Sequence, residues 1–424
     1  MKLAVIGAGS TYTPELVSGL MRERERLDVG ELVLQDIDPG RLEVVGGLAQ
    51  RMLERRGYRG ALALTGELDA ALAGAAFVLI QLRVGGQAAR LRDETIPAAC
   101  GCVGQETTGA GGLAKAMRTV PVVLEIADRA RRLASADAWI IDFTNPVGIV
   151  TRALLDAGHR AIGLCNVAIT FQRHIARHLG VEPQRVLVDQ VGLNHLTWIR
   201  AVYLDGSDVL EEVLRSFGDQ LAEEIELPRE LLDELRAIPS YYLRYFYAER
   251  EVVSEQRLEP PRAQVVADIE RRLLELYRDP SLADNPALLE QRGGAFYSEA
   301  AVALVASLSA DSRDVQVVDV RNQGTLAGLA EDDVVEVPAR IGKGGAVPLA
   351  QAPLAPELLG LAQHVAAYER LATTAGRTGD RDVARQALLA NPLVREYGLA
   401  HTLLEQLLGE ETPPSPQREL GVGR

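Results

Sequence analysis

Short apolar strands alternate with longer helical segments through the first 165 residues, and this alternation restricts the possible folds more than any other feature. The apolar strand segments are, in order, KLAVI, ELVLQDID, LALTG, AFVLIQLRVGG, AWIIDFTNP and RAIGLCN. Helical sequence follows nearly every one of them, as in sheets of parallel strands with helices on both faces. The sequence therefore predicts an α/β fold with an N-terminal, doubly wound, Rossmann-like parallel sheet.

The loops that follow these strands carry residues whose chemistry packing does not explain. The carboxyl ends of parallel strands meet at one edge of a sheet, and such folds bind ligands at that edge. The residues that this arrangement places there are Gly7, Asp36, Arg83, Asn145 and Cys165. We therefore expect the functional site at this edge.

The pattern changes at about residue 185. The segment RVLVDQVGLNHLTWIRAVYLDGSDV alternates with period two and contains a DG turn, which indicates antiparallel strands. Helices are predicted at about 211–280, 296–310, 355–374 and 381–409, with a second β stretch at 315–341. We predict a Rossmann-like domain at 1–184, an α+β domain for substrate, metal and oligomer contacts at 185–410, and a disordered, Pro-rich tail at 411–424.

Composition excludes several classes of function. The net charge is −14 and the Lys and Arg residues are dispersed, so the chain lacks the basic surface of a nucleic-acid-binding protein. No apolar run reaches the length of about 18 to 20 residues that spans a bilayer, and the N-terminus does not resemble a signal peptide. Three cysteines in 424 residues fit a reducing compartment. The sequence predicts a cytoplasmic enzyme that binds neither nucleic acid nor membrane.

The first strand runs into Gly7-Ala8-Gly9-Ser10, the start of a dinucleotide-binding motif. Gly7 permits a tight turn, and Gly9 lets backbone N–H groups approach a pyrophosphate at a helix N-terminus. The third glycine of the motif is absent. Asp36 ends the second strand, where it can accept hydrogen bonds from a ribose diol and repel a 2′-phosphate, which favours NAD over NADP. A plain glycine turn with a helix-capping aspartate is the alternative interpretation.

Arginines and glycines follow the fourth strand. The guanidinium fork of Arg90 is suited to a phosphate or a carboxylate, although a solvated helix face is the alternative interpretation for some of the charges there. The segment GCVGQETTGAGGLAKA places Glu106 in a glycine-rich loop, which indicates backbone packed close to a ligand, and a long helix is predicted from Gly112 to Ser135. Cys100 and Cys102 have no second pair nearby, so we interpret them as packing residues rather than a zinc site.

Cys165 and Asn166 end the sixth strand, and His195 follows Asn194 before the apolar segment LTW. Cysteine is often only a small buried hydrophobe, and a lone histidine beside a strand is more often a core residue than a ligand. Together, one thiolate and one imidazole form an incomplete divalent-cation site whose open positions substrate oxygens could fill.

Polar and aromatic side chains supply two further candidates. Asn145 precedes Pro146 at the end of the fifth strand, where turn chemistry and a ligand contact are both plausible roles. The segment IPSYYLRY contains Tyr241 and Tyr242, and a tyrosine can act as a base if a cation lowers its pKa from about 10. Packing in a core is the alternative for at least one of them.

Taken together, these segments resemble glycoside hydrolase family 4, and within it the enzymes that cleave 6-phospho-β-glucosides. The segments that carry the resemblance are GAGSTYTPEL, LQDID, RVGGQAARLRDE, GQETTGAGG, DFTNPVGIVT, GLCN, GLNHLTW, SYYLRY and RGGAFYSEAA. They extend over nearly the whole chain. The resemblance implies a Rossmann-like sheet followed by an α+β domain, as in lactate and malate dehydrogenases.

The family resemblance implies hydrolysis by a redox-assisted elimination and addition, unlike the paired-carboxylate mechanism of ordinary glycosidases. NAD⁺ takes a hydride from C3 of the sugar, a base removes the C2 proton, and Mn²⁺ or another divalent cation stabilises the enediolate. The resemblance assigns roles to these residues: the metal is bound by Cys165 and His195, the base is Tyr242 or else Tyr241, the substrate is bound by Arg90, Glu106, Asn145 and Asn166, and the cofactor is bound by Gly7, Gly9, Ser10, Thr11, Asp36 and Arg83.

Asn166 bears on stereochemistry, because relatives that cleave α-glucosides carry an acid at this position next to the metal-binding cysteine. An amide there favours a β-glycoside, and Arg90 favours a 6-phosphate. We expect a phosphorylated disaccharide or aryl glycoside as substrate and a homodimer or homotetramer as assembly. The alternatives are an NAD-dependent 2-hydroxy-acid dehydrogenase, a family 4 enzyme for α- or non-phosphorylated glycosides, and a non-catalytic NAD-sensing protein.

Overall fold

The structure, a computed structural model, describes residues 1–293 and 296–409. The tail at 411–424, predicted above to be disordered, lies outside the described residues, as do positions 294 and 295 of the segment RGGAFYSEAA. Among the helices of the described residues, none has both the length and the apolar character needed to cross a bilayer.

The first half of the chain alternates between strands and helices as predicted. Its strands are β1 (Lys2–Ile6), β2 (Glu31–Gln35), β3 (Ala61–Thr65), β4 (Phe77–Ile80), β5 (Trp139–Asp142) and β6 (Ala161–Gly163). Its helices are α1 (Thr13–Arg22), α2 (Pro39–Arg55), α3 (Leu68–Leu72), α4 (Gly86–Ala99), α5 (Gly109–Leu133), α6 (Val147–Asp156) and α7 (Val167–Leu179). β1, β2 and β4 are almost wholly buried, because helices cover both faces of the sheet.

The second half contributes the antiparallel strands. These are β7 (Val186–Leu193), β8 (Leu196–Leu204), β9 (Ser207–Asp208), β10 (Ile238–Pro239), β11 (Val315–Arg321), β12 (Val334–Gly342) and β13 (Gly345–Pro348). The helices are α8 (Leu210–Ile225), α9 (Arg229–Leu235), α10 (Arg244–Tyr247), α11 (Glu249–Gln256), α12 (Arg262–Tyr277), α13 (Tyr297–Ala310), α14 (Pro356–Thr378), α15 (Arg381–Ala390) and α16 (Tyr397–Leu408). Short 3₁₀ helices lie at Pro183–Arg185, Tyr241–Leu243 and Ala287–Arg292.

All thirteen strands of the described residues belong to one sheet. The parallel part has the order β3-β2-β1-β4-β5-β6, in which the direction of winding reverses between β1 and β4. This order confirms the predicted doubly wound sheet, and the reversal opens a crevice at the carboxyl ends of those two strands. The antiparallel part joins it where β11 pairs with β6, through Asp319 opposite Gly163.

Two predicted boundaries were wrong. The helix expected at 381–409 is two helices, α15 and α16, because Pro392 disfavours helical backbone at Asn391 and lacks an N–H for the helix ladder. Helix α5 begins at Gly109 rather than at Gly112, so the second half of the glycine-rich segment is helical. The division into domains at 184 and 185 stays a prediction.

Candidate functional site

A cavity of about 1020 Å³ lies at the carboxyl edge of the parallel strands. The loops after β1, β2, β4, β5 and β6 contribute to it, together with the start of the Tyr241–Leu243 3₁₀ helix. The sequence-predicted residues that line it are Gly7, Gly9, Ser10, Asp36, Arg83, Arg90, Glu106, Asn145, Asn166, Tyr241 and Tyr242. Thr11, Cys165 and His195 are buried and do not line the cavity. Thr11 follows Ser10 in the chain, Cys165 precedes Asn166, and the His195 ring lies against that of Tyr242.

The turn after β1 has the geometry that a pyrophosphate site requires. Gly7 has φ 87°, and a Cβ there would lie 2.8 Å from the carbonyl oxygen of Gln81. Glycine is therefore required by backbone conformation and by space. Tyr12 occupies the position of the missing third glycine, and the hydroxyl of the next residue, Thr13, donates to the Ala8 carbonyl at 2.8 Å, which ties the first turn of α1 to the loop.

Asp36 stands at the end of β2 and lines the same cavity. Its carboxylate accepts hydrogen bonds from the backbone N–H groups of Gly9 at 2.7 Å and Asp38 at 2.9 Å. Burial raises the pKa of this carboxyl, and the two N–H groups oppose that shift. Each carboxylate oxygen retains acceptor capacity for a ribose hydroxyl, so the turn and Asp36 together fit a dinucleotide.

Glu106 is the centre of a buried charge cluster in the cavity wall. Its carboxylate accepts from Lys115 Nζ at 2.6 Å, from Arg83 Nη1, and contacts Arg90 Nε at 3.2 Å. Burial alone would raise the pKa of Glu106, but the three cations outweigh it and hold the pKa well below its usual value. Burial lowers the pKa of Lys115 to about 8 despite the opposing effect of Glu106.

Sequence reasoning missed Lys115, although one signal was present. It is a single cation among small apolar residues in LAKAM, on a helix that is otherwise buried there. Two arginines of the cavity wall were also missed. Arg262 donates to the carbonyls of Gln291 and Arg292, and Arg292 pairs with Glu270 at 2.7 Å. Nothing local in the sequence points to these two, because the charges that they meet are distant in the chain.

We expect Glu106→Gln to lower the free energy of unfolding by about 3–5 kcal/mol, because it leaves the buried Lys115 and the partly buried Arg83 and Arg90 without their shared carboxylate. Urea denaturation followed by circular dichroism measures the change. Asp69→Asn is the matched control, since Asp69 pairs with Arg129 at 2.7 Å but its side chain is 56% exposed. That loss should stay below about 1 kcal/mol. Equal unfolding midpoints for wild type and Glu106→Gln would contradict the role given to the cluster.

Cys165 lies between β6 and α7 and is 4% exposed. Its sulfur is 3.8 Å from the Tyr297 hydroxyl and 4.0 Å from Oδ1 of Asn166, both of which line the cavity. Burial, and then the charges of Glu336 and Asp319, raise the pKa of the thiol well above its usual value. A thiolate at this place therefore calls for a cation beside it.

His195 occupies a two-residue turn between β7 and β8, in the left-handed conformation with φ 62°. Its Nε2 is buried and has no hydrogen-bond partner among the residues that the structure describes. Burial, and then the charge of Lys115, lower the pKa of the imidazole to about 3, so the ring is neutral. A neutral imidazole with an unpartnered nitrogen is suited to binding a metal.

Within the described ranges, no group of three or more His, Cys, Asp or Glu side chains could hold a metal ion. Cys165 and His195 would thus supply two ligands, and a bound substrate would supply others. The donor types fit a divalent cation of the kind expected from the sequence.

Two tyrosines follow β10 in the 3₁₀ helix Tyr241–Leu243. The ring of Tyr242 lies against that of His195, with centroids 3.7 Å apart, whereas Tyr241 lies against Phe171 with centroids 6.3 Å apart. Burial raises the pKa of both phenols well above 10. The contact with His195 favours Tyr242 as the base.

The remaining predicted residues have different surroundings. Oδ1 of Asn145 is buried and lacks a hydrogen-bond partner in the described part of the chain, and the residue lines the cavity. This orphaned acceptor is available to a hydroxyl of a ligand. Cys100 and Cys102 are free thiols and do not line the cavity.

Comparison with known proteins gives matches along most of the chain. Residues 2–181 match the model of the family 4 glycosyl hydrolases, and residues 190–394 match that of their C-terminal domain. The "Probable 6-phospho-beta-glucosidase" of Bacillus subtilis (strain 168) is 40% identical, with 98% of each chain covered. The 6-phospho-beta-glucosidase of Escherichia coli (strain K12) is 35% identical over 96% of this chain and 94% of its own.

Solved structures agree with these matches. The 6-phospho-beta glucosidase of Thermotoga maritima, determined with manganese, NAD⁺ and glucose-6-phosphate, superposes with a TM-score of 0.89 at 35% identity, covering 96% of this chain and 97% of that one. A malate dehydrogenase from Salinibacter ruber shares the fold alone, with a TM-score of 0.55 at 16% identity over 90% of this chain and 99% of that one. This second match confirms the predicted similarity of fold to the lactate and malate dehydrogenases.

Proposed function

The chain belongs to family 4 of the glycosyl hydrolases, and from this membership we propose that it hydrolyses 6-phospho-β-glucosides with NAD and a divalent cation. One observation carries the proposal. The dinucleotide turn, Asp36 and Tyr242 line a single cavity, and Cys165 and His195 are buried beside it, against the cavity-lining Tyr297 and Tyr242. A hydrolase without redox chemistry has no use for the first of these elements.

The cofactor would occupy the side of the cavity next to β1 and β2. We assign its pyrophosphate to the turn formed by Gly7, Gly9, Ser10 and Thr11, and its ribose diol to Asp36. Arg83, which also lines the cavity, is the remaining residue assigned to the cofactor. When bound, NAD⁺ accepts and returns the hydride at C3 of the sugar, and a divalent cation stabilises negative charge on the C2 and C3 oxygens.

The reacting end of the site is built by three side chains. Cys165 and His195 would hold the cation, Mn²⁺ or another divalent ion, and leave open positions for the sugar oxygens. Tyr242 would remove the proton from C2. The buried phenol needs a nearby cation for this role, because a positive charge lowers the pKa that burial raises.

The phosphorylated sugar would bind on the arginine side of the cavity. Arg90 and Arg262 lie close together there: burial, and then the charge of Arg90, lower the pKa of Arg262. Glu94 already accepts from Arg90 at 2.6 Å, and the negative charge of a bound phosphate would further offset the repulsion between the two arginines. Asn145 and Asn166 would bind sugar hydroxyls, with Glu106 holding the nearby cations in place.

Asn166 supports the β-anomer. Its Oδ1 is 4.0 Å from the Cys165 sulfur, so it stands beside the proposed metal. An amide cannot protonate a leaving oxygen, whereas an acid at this place could. We therefore assign a substrate whose leaving group departs from the other face of the sugar.

We expect p-nitrophenyl β-glucoside 6-phosphate to be cleaved only when NAD⁺ and Mn²⁺ are both present. Release of p-nitrophenol, measured before and after treatment with EDTA and removal of the nucleotide, tests this. Cleavage that persists after both treatments would refute the redox mechanism. Faster cleavage of the α-anomer or of the non-phosphorylated glycoside would place the chain in another branch of the family, and net NADH formation from a 2-hydroxy acid would establish a dehydrogenase.

We further propose that the natural substrate is a phosphorylated disaccharide and that the enzyme works in the cytoplasm as a homodimer or homotetramer. The three free cysteines support a reducing compartment. A cysteine that serves as a metal ligand must stay reduced, so the proposed metal site has the same requirement.

A further inference from the structure

Two carboxyl groups face each other in the interior of the sheet. Asp319 on β11 and Glu336 on β12 are a directly opposed cross-strand pair, and they are 0% and 1% exposed. Like-charged residues in such a position destabilise a sheet. Burial raises the pKa of both groups, that of Glu336 to about 7.

Glu336 and Asp319 both contact the turn that carries His195. The side-chain amide of Asn194 donates to Glu336 Oε2 at 2.9 Å and reaches Asp319 Oδ2 at 3.5 Å. The amide of Gln190, on the same strand that leads into the turn, donates to Glu336 Oε1 at 2.5 Å. The pair therefore anchors the hairpin immediately before His195.

The pair also contacts the strand that leads to Cys165. Asp319 is opposite Gly163, two residues before that cysteine. A Cβ at Gly163 would lie 2.8 Å from the Cβ of Asp319, so only glycine lets β6 pass this closely. One pair of carboxyl groups thus touches the segments that carry both proposed metal ligands.

We propose that Asp319 and Glu336 are positioning residues that fix the relative placement of Cys165 and His195 for the divalent cation. The inference rests on the proposed function, since it takes those two residues as the ligands. Apolar side chains would fill this part of the core at lower cost in desolvation. Groups that orient metal ligands through hydrogen bonds commonly control metal affinity.

Titration with Mn²⁺ tests the proposal without recourse to catalysis. Enzyme freed of metal and saturated with NAD⁺ is titrated with Mn²⁺, and the free ion is measured by electron paramagnetic resonance. We expect Glu336→Ala to weaken Mn²⁺ binding by about tenfold to a hundredfold, with NAD⁺ affinity unchanged. Glu336→Gln keeps an oxygen for the Asn194 amide, and its NH2 group can donate to Gln190 Oε1 once the Gln190 amide turns over, so it should stay within about threefold of wild type.

Asp333→Asn is the control for a purely structural effect. Asp333 precedes β12, is 1% exposed and accepts hydrogen bonds from Arg152 at 3.0 Å and from Arg370 at 2.6 Å, neither of which belongs to the Asn194 turn. The Asp333→Asn variant should have a lower midpoint of thermal unfolding and an unchanged Mn²⁺ affinity. Asn194→Ala removes the amide that joins the turn before His195 to the two carboxyl groups, and leaves the carboxyl groups themselves unchanged. This variant replaces Glu336→Ala if that protein does not fold.

The positioning role of Asp319 and Glu336 and the assignment of Cys165 as a metal ligand can be contradicted separately. A folded Glu336→Ala or Asn194→Ala variant that binds Mn²⁺ as tightly as wild type overturns the inference. Loss of affinity in Glu336→Gln and Asp333→Asn as well would also overturn it, because general destabilisation would then be the cause. If Cys165→Ser binds Mn²⁺ like wild type, the ligand assignment in the proposed function fails instead.

Discussion

Replacing Cys165 by serine is expected to reduce Mn²⁺-dependent cleavage by about a hundredfold or more, since changes to mere outer partners of metal ligands already cost about tenfold to a hundredfold. A serine hydroxyl stays neutral where a thiolate would carry charge. The fold and the NAD⁺ site should be unaffected, because the side chains differ by one atom. Initial rates with a chromogenic 6-phospho-β-glucoside, measured across a range of Mn²⁺ concentrations, give the result.

Cys102→Ser is the matched control, because Cys102 is also buried, at 3% exposure, but does not line the cavity. It should retain activity. Cobalt substitution supplies a second measurement: the thiolate-to-cobalt absorption band should vanish in Cys165→Ser and persist in Cys102→Ser. An active Cys165→Ser enzyme that keeps this band would remove Cys165 from the metal site.

Tyr242→Phe is expected to slow the reaction by about a hundredfold to ten-thousandfold, the usual contribution of a general base. Tyr241→Phe should cost less than about tenfold, because a residue that only packs loses a single hydroxyl. The two variants remove the same atom from neighbouring residues. The structural reason for the difference is that only Tyr242 stacks on His195 at 3.7 Å, next to the proposed cation.

Exchange of the substrate C2 proton with solvent deuterium measures the same step directly. Exchange should be lost in Tyr242→Phe and retained in Tyr241→Phe. The reverse pattern would transfer the role of base to Tyr241. Full exchange in both variants would exclude both tyrosines as the base.

The sequence allowed the edge of the sheet to be predicted, because strand-ending residues can be read from apolar periodicity. Gly7, Asp36, Asn145 and Asn166 all line one cavity for this reason. From the residues alone, a metal site formed by Cys165 and His195 was one of two interpretations beside core packing, and the family resemblance favoured the metal site.

Other features depend on contacts that no local pattern encodes. Lys115 could be suspected from its apolar neighbours, but its partner Glu106 could not be identified without the fold. The Asp319–Glu336 pair looks in sequence like two solvated strand positions, but helix α6 packs against both β11 and β12 and the two side chains are buried. The break between α15 and α16 was within reach of the sequence, because Pro392 marks it.

The junction of β6 with β11 separates the parallel strands from the antiparallel ones, and the two proposed metal ligands stand on opposite sides of it. Cys165 follows the last parallel strand, and His195 caps an antiparallel hairpin. A cation held by both would link the parallel and antiparallel parts of the sheet, whose described strands pair at this junction only through Asp319 and Gly163. A bound ligand stabilises the state that binds it. The same ion would therefore contribute both to the stability of the folded protein and to its chemistry.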